Sequence, residues 1–275
     1  MKYGIASDAR PQATLLLTAA VVSIVLWFIP FAEIVTYPFR IFVTFIHEGG
    51  HAIAALLTGN SVESLSIATN ASGETYTTQG GTLSQMFVSS AGYLGSIAFG
   101  ATLLVLIRKA IAARVVLIGS AALILTLTVV YGLIKPAMSG VVTTSLPFTI
   151  LAGTLLSVGL IAVAKYASAR VATFFVSFLA VQCVLNALLD LKTIFFLSSP
   201  FAPTVPTDAV NMANATGVPA LFWAVTWITL AVGILAVTMR LYVSGRKKQF
   251  QLDLDRPFNQ IPAVFPTITQ EQNLR

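Results

Sequence analysis

Charged side chains are scarce in this sequence. Of its 275 residues, 9% are charged and 56% are hydrophobic, and the mean hydropathy is +0.86. A soluble globular domain carries about 25% charged residues, so this chain cannot cover itself with a water-facing surface. Lipid must replace water around much of it. The composition excludes a soluble enzyme or binding module and predicts an all-α polytopic membrane protein.

Cysteine and histidine are nearly absent. The single cysteine, Cys183, excludes an intramolecular disulfide. The chain has two histidines, His47 and His51, and ten acidic residues. A metal site or catalytic site must therefore be drawn from a very short inventory.

The excess of basic residues does not indicate a nucleic-acid partner. The net charge is +6 and the pI about 9.6, but Lys and Arg stand in short clusters between apolar runs, at 108–114, 165–170 and 240–248. A nucleic-acid binder gathers them on one face, whereas short basic loops set membrane topology. We therefore exclude nucleic acid and expect the lipid bilayer as partner, with the three clusters on the cytoplasmic side. With single spans throughout, this orientation puts the N-terminus, which carries Lys2 and Arg10, on the outside, whereas a re-entrant second segment would put it inside.

Seven apolar segments approach the roughly 20 residues that a spanning helix needs: 13–37, 39–58, 83–107, 114–134, 146–165, 170–197 and 218–243. Pro30 and Pro38 interrupt the first, and the second is short. The sequence therefore predicts six or seven transmembrane helices within a membrane-embedded domain at 1–243.

Two polar regions stand apart from the apolar segments. Residues 60–82 combine strand-like spacing with the turn sequence Asn70-Ala-Ser-Gly73, which predicts a small extramembrane β-hairpin. Asp208 is predicted to cap a short helix after a proline-rich loop. The polar C-terminal tail, 244–275, carries no recognisable chemistry.

The segment FIHEGGHAIAALLTG places His47, Glu48 and His51 inside an apolar run. Residues four apart on a helix share a face, so the two imidazoles can bind one metal ion, with Glu48 beside them as the base. A helix-borne histidine is more often a packed core residue, and HExxH also occurs by chance. The pair is nevertheless the chain's whole histidine content, and ionisable groups inside a membrane are costly unless functional. We predict a Zn²⁺ site with Glu48 as catalytic carboxylate.

A catalytic zinc usually takes three protein ligands, and the third must here be acidic. Apart from Glu48, Asp190 is the carboxylate deepest in an apolar segment. Glu33 is nearer a segment end and Asp208 lies in a loop. Elimination therefore favours Asp190, the alternative being an ion pair with Lys192 or a helix-end carboxylate.

Asn186, Cys183 and a series of small residues also bear on the candidate site. Asn186 shares a helical face with Asp190 and is a candidate substrate-binding residue, or equally an interhelical hydrogen-bonding residue. Cys183 is a rival zinc ligand, but a buried free thiol is usually just a small apolar residue. Small residues recur every fourth position from Gly92 to Gly100, and we expect them to serve helix packing alone.

The sequence around His47, Glu48 and His51 resembles the site-2 protease class of intramembrane zinc metalloproteases, particularly its small bacterial branch. The resemblance rests on the HEGGH segment, on SSAGYLGS at 89–96, on the membrane aspartate Asp190, and on TDAVNMANATGVPALFWAVTW at 207–227. Family members have an Asn-Pro-x-Pro-x-x-Asp-Gly segment around that aspartate, whereas this chain has Asn186-Ala-Leu-Leu-Asp190.

The resemblance implies a multi-pass protein of the bacterial cell membrane that hydrolyses peptide bonds of membrane-anchored protein substrates. In that family the two histidines and a later aspartate bind zinc, and the glutamate activates a zinc-bound water. Two alternatives remain at this level: a catalytically inactive membrane scaffold, and a metal transporter. Transporters often contain inverted repeats, and the sequence shows no internal repeat.

Overall fold

A computed structural model describes residues 10–26, 28–108, 112–141, 143–199 and 205–244. Its elements, in chain order, are α1 (Arg10–Leu26), α2 (Ala32–Leu57), β1 (Val62–Ile67), β2 (Gly73–Thr77), α3 (Thr82–Arg108), α4 (Ala113–Val129), α5 (Lys135–Ser139), α6 (Leu146–Tyr166), α7 (Ala169–Leu197), α8 (Asp208–Thr216) and α9 (Ala220–Ser244). A π-helical turn, Val130–Ile134, joins α4 to α5. The predicted tail lies outside the described residues apart from Ser244.

Five stretches of helix are long and apolar enough to cross a membrane: Thr82–Ile107, Ala113–Ser139, Leu146–Tyr166, Ala169–Leu197 and Ala220–Tyr242. The apolar helix α1 is shorter, and α2 is long but carries Glu33, Arg40 and Glu48. The predicted all-α polytopic architecture is confirmed, and these seven helices correspond to the seven apolar segments of the sequence.

Helix α2 packs closely on α3, and α3 in turn packs on α7. A Cβ atom built at Gly50 would lie 2.3 Å from the carbonyl oxygen of Ala91, a separation that real side chains do not allow. Glycine at this position lets the backbones of α2 and α3 approach each other, as small residues do in membrane helix pairs. Farther along α3, a Cβ atom built at Gly100 would lie 2.9 Å from the Ala180 carbonyl oxygen of α7.

The predicted hairpin is present as an antiparallel pair in which Leu65 faces Thr75. It folds back along α2 rather than projecting beyond the helices. The Tyr37 hydroxyl donates to the Thr69 carbonyl oxygen at 2.6 Å, and the Thr44 hydroxyl donates to that of Ala71 at 2.8 Å. Thr44 precedes the end of α2 by about 20 Å along the helix axis. The hairpin is therefore packed along α2 as part of the helical domain.

Strand β1 is the inner strand of the hairpin and β2 the outer one. Almost all of β1 is buried, and β2 is largely exposed. The Ile67 amide donates to the Thr149 hydroxyl of α6 at 2.8 Å. This bond fixes β1 to the helices and leaves β2 along a cavity.

Helix α8 begins at Asp208, and Thr207 is its N-cap, with a hydroxyl that accepts from the Val210 amide at 3.3 Å. Asp208, the predicted cap, is instead the first helical residue, because the threonine hydroxyl satisfies the free backbone amide. Ala209 and Met212 are buried against α3, α7 and α9. This packing fixes the position of the Asp208 carboxylate.

Candidate metal centre

His47 and His51 lie one turn apart on α2, and their Nε2 atoms are 3.0 Å apart. Nδ1 of His51 lies 2.7 Å from the Val88 carbonyl oxygen. A carbonyl can only accept, so this Nδ1 carries the proton, and Nε2 of a neutral His51 has a lone pair. Two ring nitrogens this close require a proton or a metal ion between them. The bond to Val88 is the kind of outer contact that orients a histidine ligand.

Asp208 completes a group of three. Its Oδ2 atom is 3.5 Å from Nε2 of His47 and 3.5 Å from Nε2 of His51. Burial alone would raise the pKa of the Asp208 carboxyl, but the neighbouring His51 and His47 outweigh that effect and hold this pKa below its usual value. The deprotonated carboxylate is the form in which an aspartate binds a metal ion.

The three atoms fit one face of a zinc tetrahedron. Zinc bonds to nitrogen and to carboxylate oxygen of about 2.0–2.2 Å imply ligand–ligand separations of about 3.3–3.6 Å. The two separations to Asp208, both 3.5 Å, fall within this range, and the 3.0 Å between the two histidine nitrogens is somewhat shorter. His47, His51 and Asp208 can therefore hold one ion together, with a fourth position left for water or substrate.

Gly92 of α3 closes one side of this group. A Cβ atom built on it would lie 2.4 Å from Nε2 of His47 and 2.5 Å from Nε2 of His51. The space that a side chain would fill is occupied by the two imidazoles. The expectation that Gly92 serves packing alone is therefore incomplete, because the same residue makes room for the candidate metal ligands.

Tyr93 and Glu48 border the same group. The Tyr93 ring meets the His47 ring edge to face at 4.6 Å. Glu48 is buried, and its Oε2 accepts from the Thr75 hydroxyl of β2 at 2.6 Å. A Cβ atom on Gly73 would lie 2.4 Å from the other carboxylate oxygen of Glu48. The hairpin therefore packs directly against the predicted catalytic carboxylate and fixes its orientation.

A cavity of about 800 Å³ contains this group, within the range of ligand sites. Much of its wall is polar: β2 contributes Thr75 and Thr77, and α8 contributes Asn211 and Asn214. Water can therefore reach the two histidines although they lie among membrane-length helices.

Comparison with known proteins assigns the chain to a family. The family model described as Peptidase M50B-like matches residues 16–238, which is most of the chain. The chain belongs to the site-2 protease family. No curated protein and no solved structure matches it. With its five apolar membrane-length helices, this family member is an integral membrane protein.

The geometry changes the choice of third ligand in this site-2 protease family member. The sequence favours Asp190, but the structure places Asp208 with the histidines. Asp190 lies on α7, exposed at the wall of the same cavity. The preference for Asp190 rested on depth in an apolar segment. The packing of α8 brings a carboxylate from a connecting region to the same depth, and no local pattern reveals this.

Asn186, the candidate substrate-binding residue, makes its contacts within α7. Its amide nitrogen donates to the Gln182 carbonyl oxygen at 2.9 Å and to the Gln182 side-chain oxygen at 3.0 Å. The described residues lining the cavity include Asp190 but not Asn186. Cys183, the rival ligand, is buried in the main apolar core. The structure does not bring either side chain to the candidate metal group.

Sequence reasoning ranked Asp208 below Asp190 as a candidate third ligand, and it did not single out Thr75 or Gly73. Asp208 belongs to the TDAVNMANATGVP segment that carries the family resemblance, and this was the one available signal. Nothing local marks Thr75 or Gly73, because their proximity to Glu48 depends on the hairpin folding back along α2.

Proposed function

We propose that this site-2 protease family member is an active zinc metalloendopeptidase that cuts membrane-anchored proteins within or beside the bilayer. The observation that carries the proposal is the convergence of His47, His51 and Asp208 beside Glu48, in a polar cavity between membrane-length helices. Two imidazoles and a carboxylate form a zinc-type donor set with room for substrate.

The chain's own residues can perform the proton transfers of hydrolysis. Bound zinc would supply Lewis acidity, lowering the pKa of water and polarising the scissile carbonyl. Glu48 accepts the proton of the attacking water and delivers a proton to the departing amine. The Thr75 hydroxyl holds one oxygen of Glu48, which limits rotation of the carboxylate and keeps it directed for this exchange.

The hairpin supports a mode of substrate binding. Among the described residues, β2 pairs only with β1, and its residues from Gly73 to Thr77 line the cavity. An extended substrate can therefore add to β2 as a third strand, next to Glu48. Such binding requires local unwinding of a helical substrate, since a helix keeps its carbonyls in internal hydrogen bonds.

Strand addition can be tested on the substrate alone. Replacing the amides that flank the scissile bond by esters removes N–H donors without changing side chains. We expect KM to rise by about 2–13-fold for each lost bond, from the roughly 0.5–1.5 kcal/mol of a typical hydrogen bond. The same replacement several residues away is the control. Equal KM values for all of these substrates would exclude strand addition.

Metal removal tests the proposed activity. Purified protein in proteoliposomes should cleave a membrane-anchored substrate, lose that cleavage when 1,10-phenanthroline strips the metal, and regain it with added Zn²⁺. The readouts are cleavage fragments and bound zinc in the same sample. Cleavage that persists in metal-free protein would contradict the proposal. Zinc-loaded protein that leaves its substrates intact would support an inactive scaffold, and zinc flux into the vesicles would support a transporter.

A further inference from the structure

Each of the five membrane-length helices has one end near the cavity. Gly92 of α3 borders the histidines, Asp190 of α7 lines the cavity, and Trp227 of α9 donates to the Ser90 hydroxyl of α3 at 3.0 Å. Thr149 of α6 binds β1. Gly132, in the π-helical turn after α4, lies beside both Thr149 and β1. The cavity therefore lies toward one end of the helix bundle.

Five of the seven Lys and Arg residues in these five helices lie at the opposite end. Along the helix axes, the separations are about 24 Å from Gly92 to Arg108, about 30 Å from Asp190 to Arg170 and about 20 Å from Trp227 to Arg240. Lys165 follows Thr149 by about 24 Å, and Arg114 precedes Gly132 by about 27 Å. These distances approach the thickness of a bilayer core, so the basic residues and the cavity belong to opposite halves of the membrane.

The sequence of the connections shows the same asymmetry. The three connections at the cavity end, 58–81, 140–145 and 198–219, contain no Lys or Arg, whereas 108–114, 165–170 and 240–248 contain three, two and four. The other two basic residues of the five membrane-length helices, Lys135 and Lys192, lie within helices and nearer the cavity end. Short loops rich in Lys and Arg stay in the cytoplasm because basic residues resist translocation.

We infer that the cavity opens to the non-cytoplasmic side of the membrane. The substrate is then a membrane-anchored protein whose scissile segment is presented from that side. The soluble polypeptide fragment released by cleavage leaves by the same face, away from the cytoplasm. The substrate class rests on the proposed function, whereas the orientation rests on helix direction and basic residues alone.

Cysteine labelling tests the orientation without requiring metal or turnover. Gln79, in the connection that follows β2, is exposed beside the cavity, and Ala112 is exposed at the basic end before α4. The parent chain contains one cysteine, the buried Cys183, and serves as the blank. Gln79→Cys and Ala112→Cys are each treated with a membrane-impermeant maleimide, first in intact spheroplasts and then after solubilisation in detergent. The labelling in detergent defines 100% for each variant.

We expect Gln79→Cys to reach most of its detergent labelling in intact spheroplasts, and Ala112→Cys to be labelled only after solubilisation. The opposite pattern, or equal labelling of both variants in spheroplasts, would overturn the inference. Repeating the experiment in a Glu48→Gln background separates the two proposals. If the protein is inactive but shows the expected labelling, the orientation stands and the hydrolase proposal fails. If the protein is active but shows the opposite labelling, the hydrolase proposal stands and the orientation fails.

Discussion

Glu48→Gln should reduce peptide hydrolysis by about 10²–10⁴-fold, the usual contribution of general acid–base catalysis, while bound zinc stays at the wild-type level. Glutamine has nearly the same shape and can still accept the Thr75 hydroxyl bond, but it cannot take a proton from water. Glu48 is not part of the His47, His51 and Asp208 group, so metal binding should survive. Cleavage rate and zinc content are measured on the same purified sample.

Glu33→Gln is the matched control. It makes the same chemical change on the same helix, but at the exposed first turn of α2, and it should leave both the cleavage rate and zinc content unchanged. A Glu48→Gln protein that cleaves at the wild-type rate would remove Glu48 from the mechanism. Loss of zinc in that variant would show instead that Glu48 supports the metal.

Gly92→Ala should weaken zinc binding by about 10–100-fold, the range expected when a residue that supports metal ligands is changed. The added methyl group would stand 2.4 Å from Nε2 of His47 and 2.5 Å from Nε2 of His51. To relieve the overlap, the rings must turn or α3 must move away, and either change separates the ligand atoms. Zinc affinity is measured by competition with a chromophoric chelator.

Gly95→Ala provides the control on the same helix. Its added Cβ would meet the Cα of Gly50 at 3.6 Å, an ordinary contact, and zinc affinity should not change. Thermal unfolding of both metal-free proteins separates a local effect at the metal centre from general loss of packing. Wild-type zinc affinity in Gly92→Ala would show that the histidines do not bind metal in the arrangement described here.

The features that followed from sequence are those that depend on local periodicity. Apolar run lengths predicted the membrane helices, and the i, i+4 spacing placed His47 and His51 on one face of α2. The hairpin within 60–82 followed from its turn residues and strand spacing. Each of these depends on neighbours within a few turns of the same chain segment.

The third member of the candidate site depends instead on tertiary packing. Depth in an apolar segment favoured Asp190, but depth along a helix does not specify which face meets the histidines. Asp208 reaches them because Ala209 and Met212 seat α8 among three other helices. The contact between Thr75 and Glu48 likewise arises only when the hairpin folds back along α2. Apart from the family resemblance of the segment that contains Asp208, neither arrangement has a signature in a single sequence.

Zinc content of Asp208→Asn beside Asp190→Asn tests the central claim most directly, because the two substitutions make the same change at two carboxylates of one cavity. We expect purified Asp208→Asn to lose most of its bound zinc, since an amide is a poor substitute for the anionic ligand, and Asp190→Asn to keep the wild-type amount. Full zinc in Asp208→Asn together with its loss in Asp190→Asn would contradict the metal centre described here.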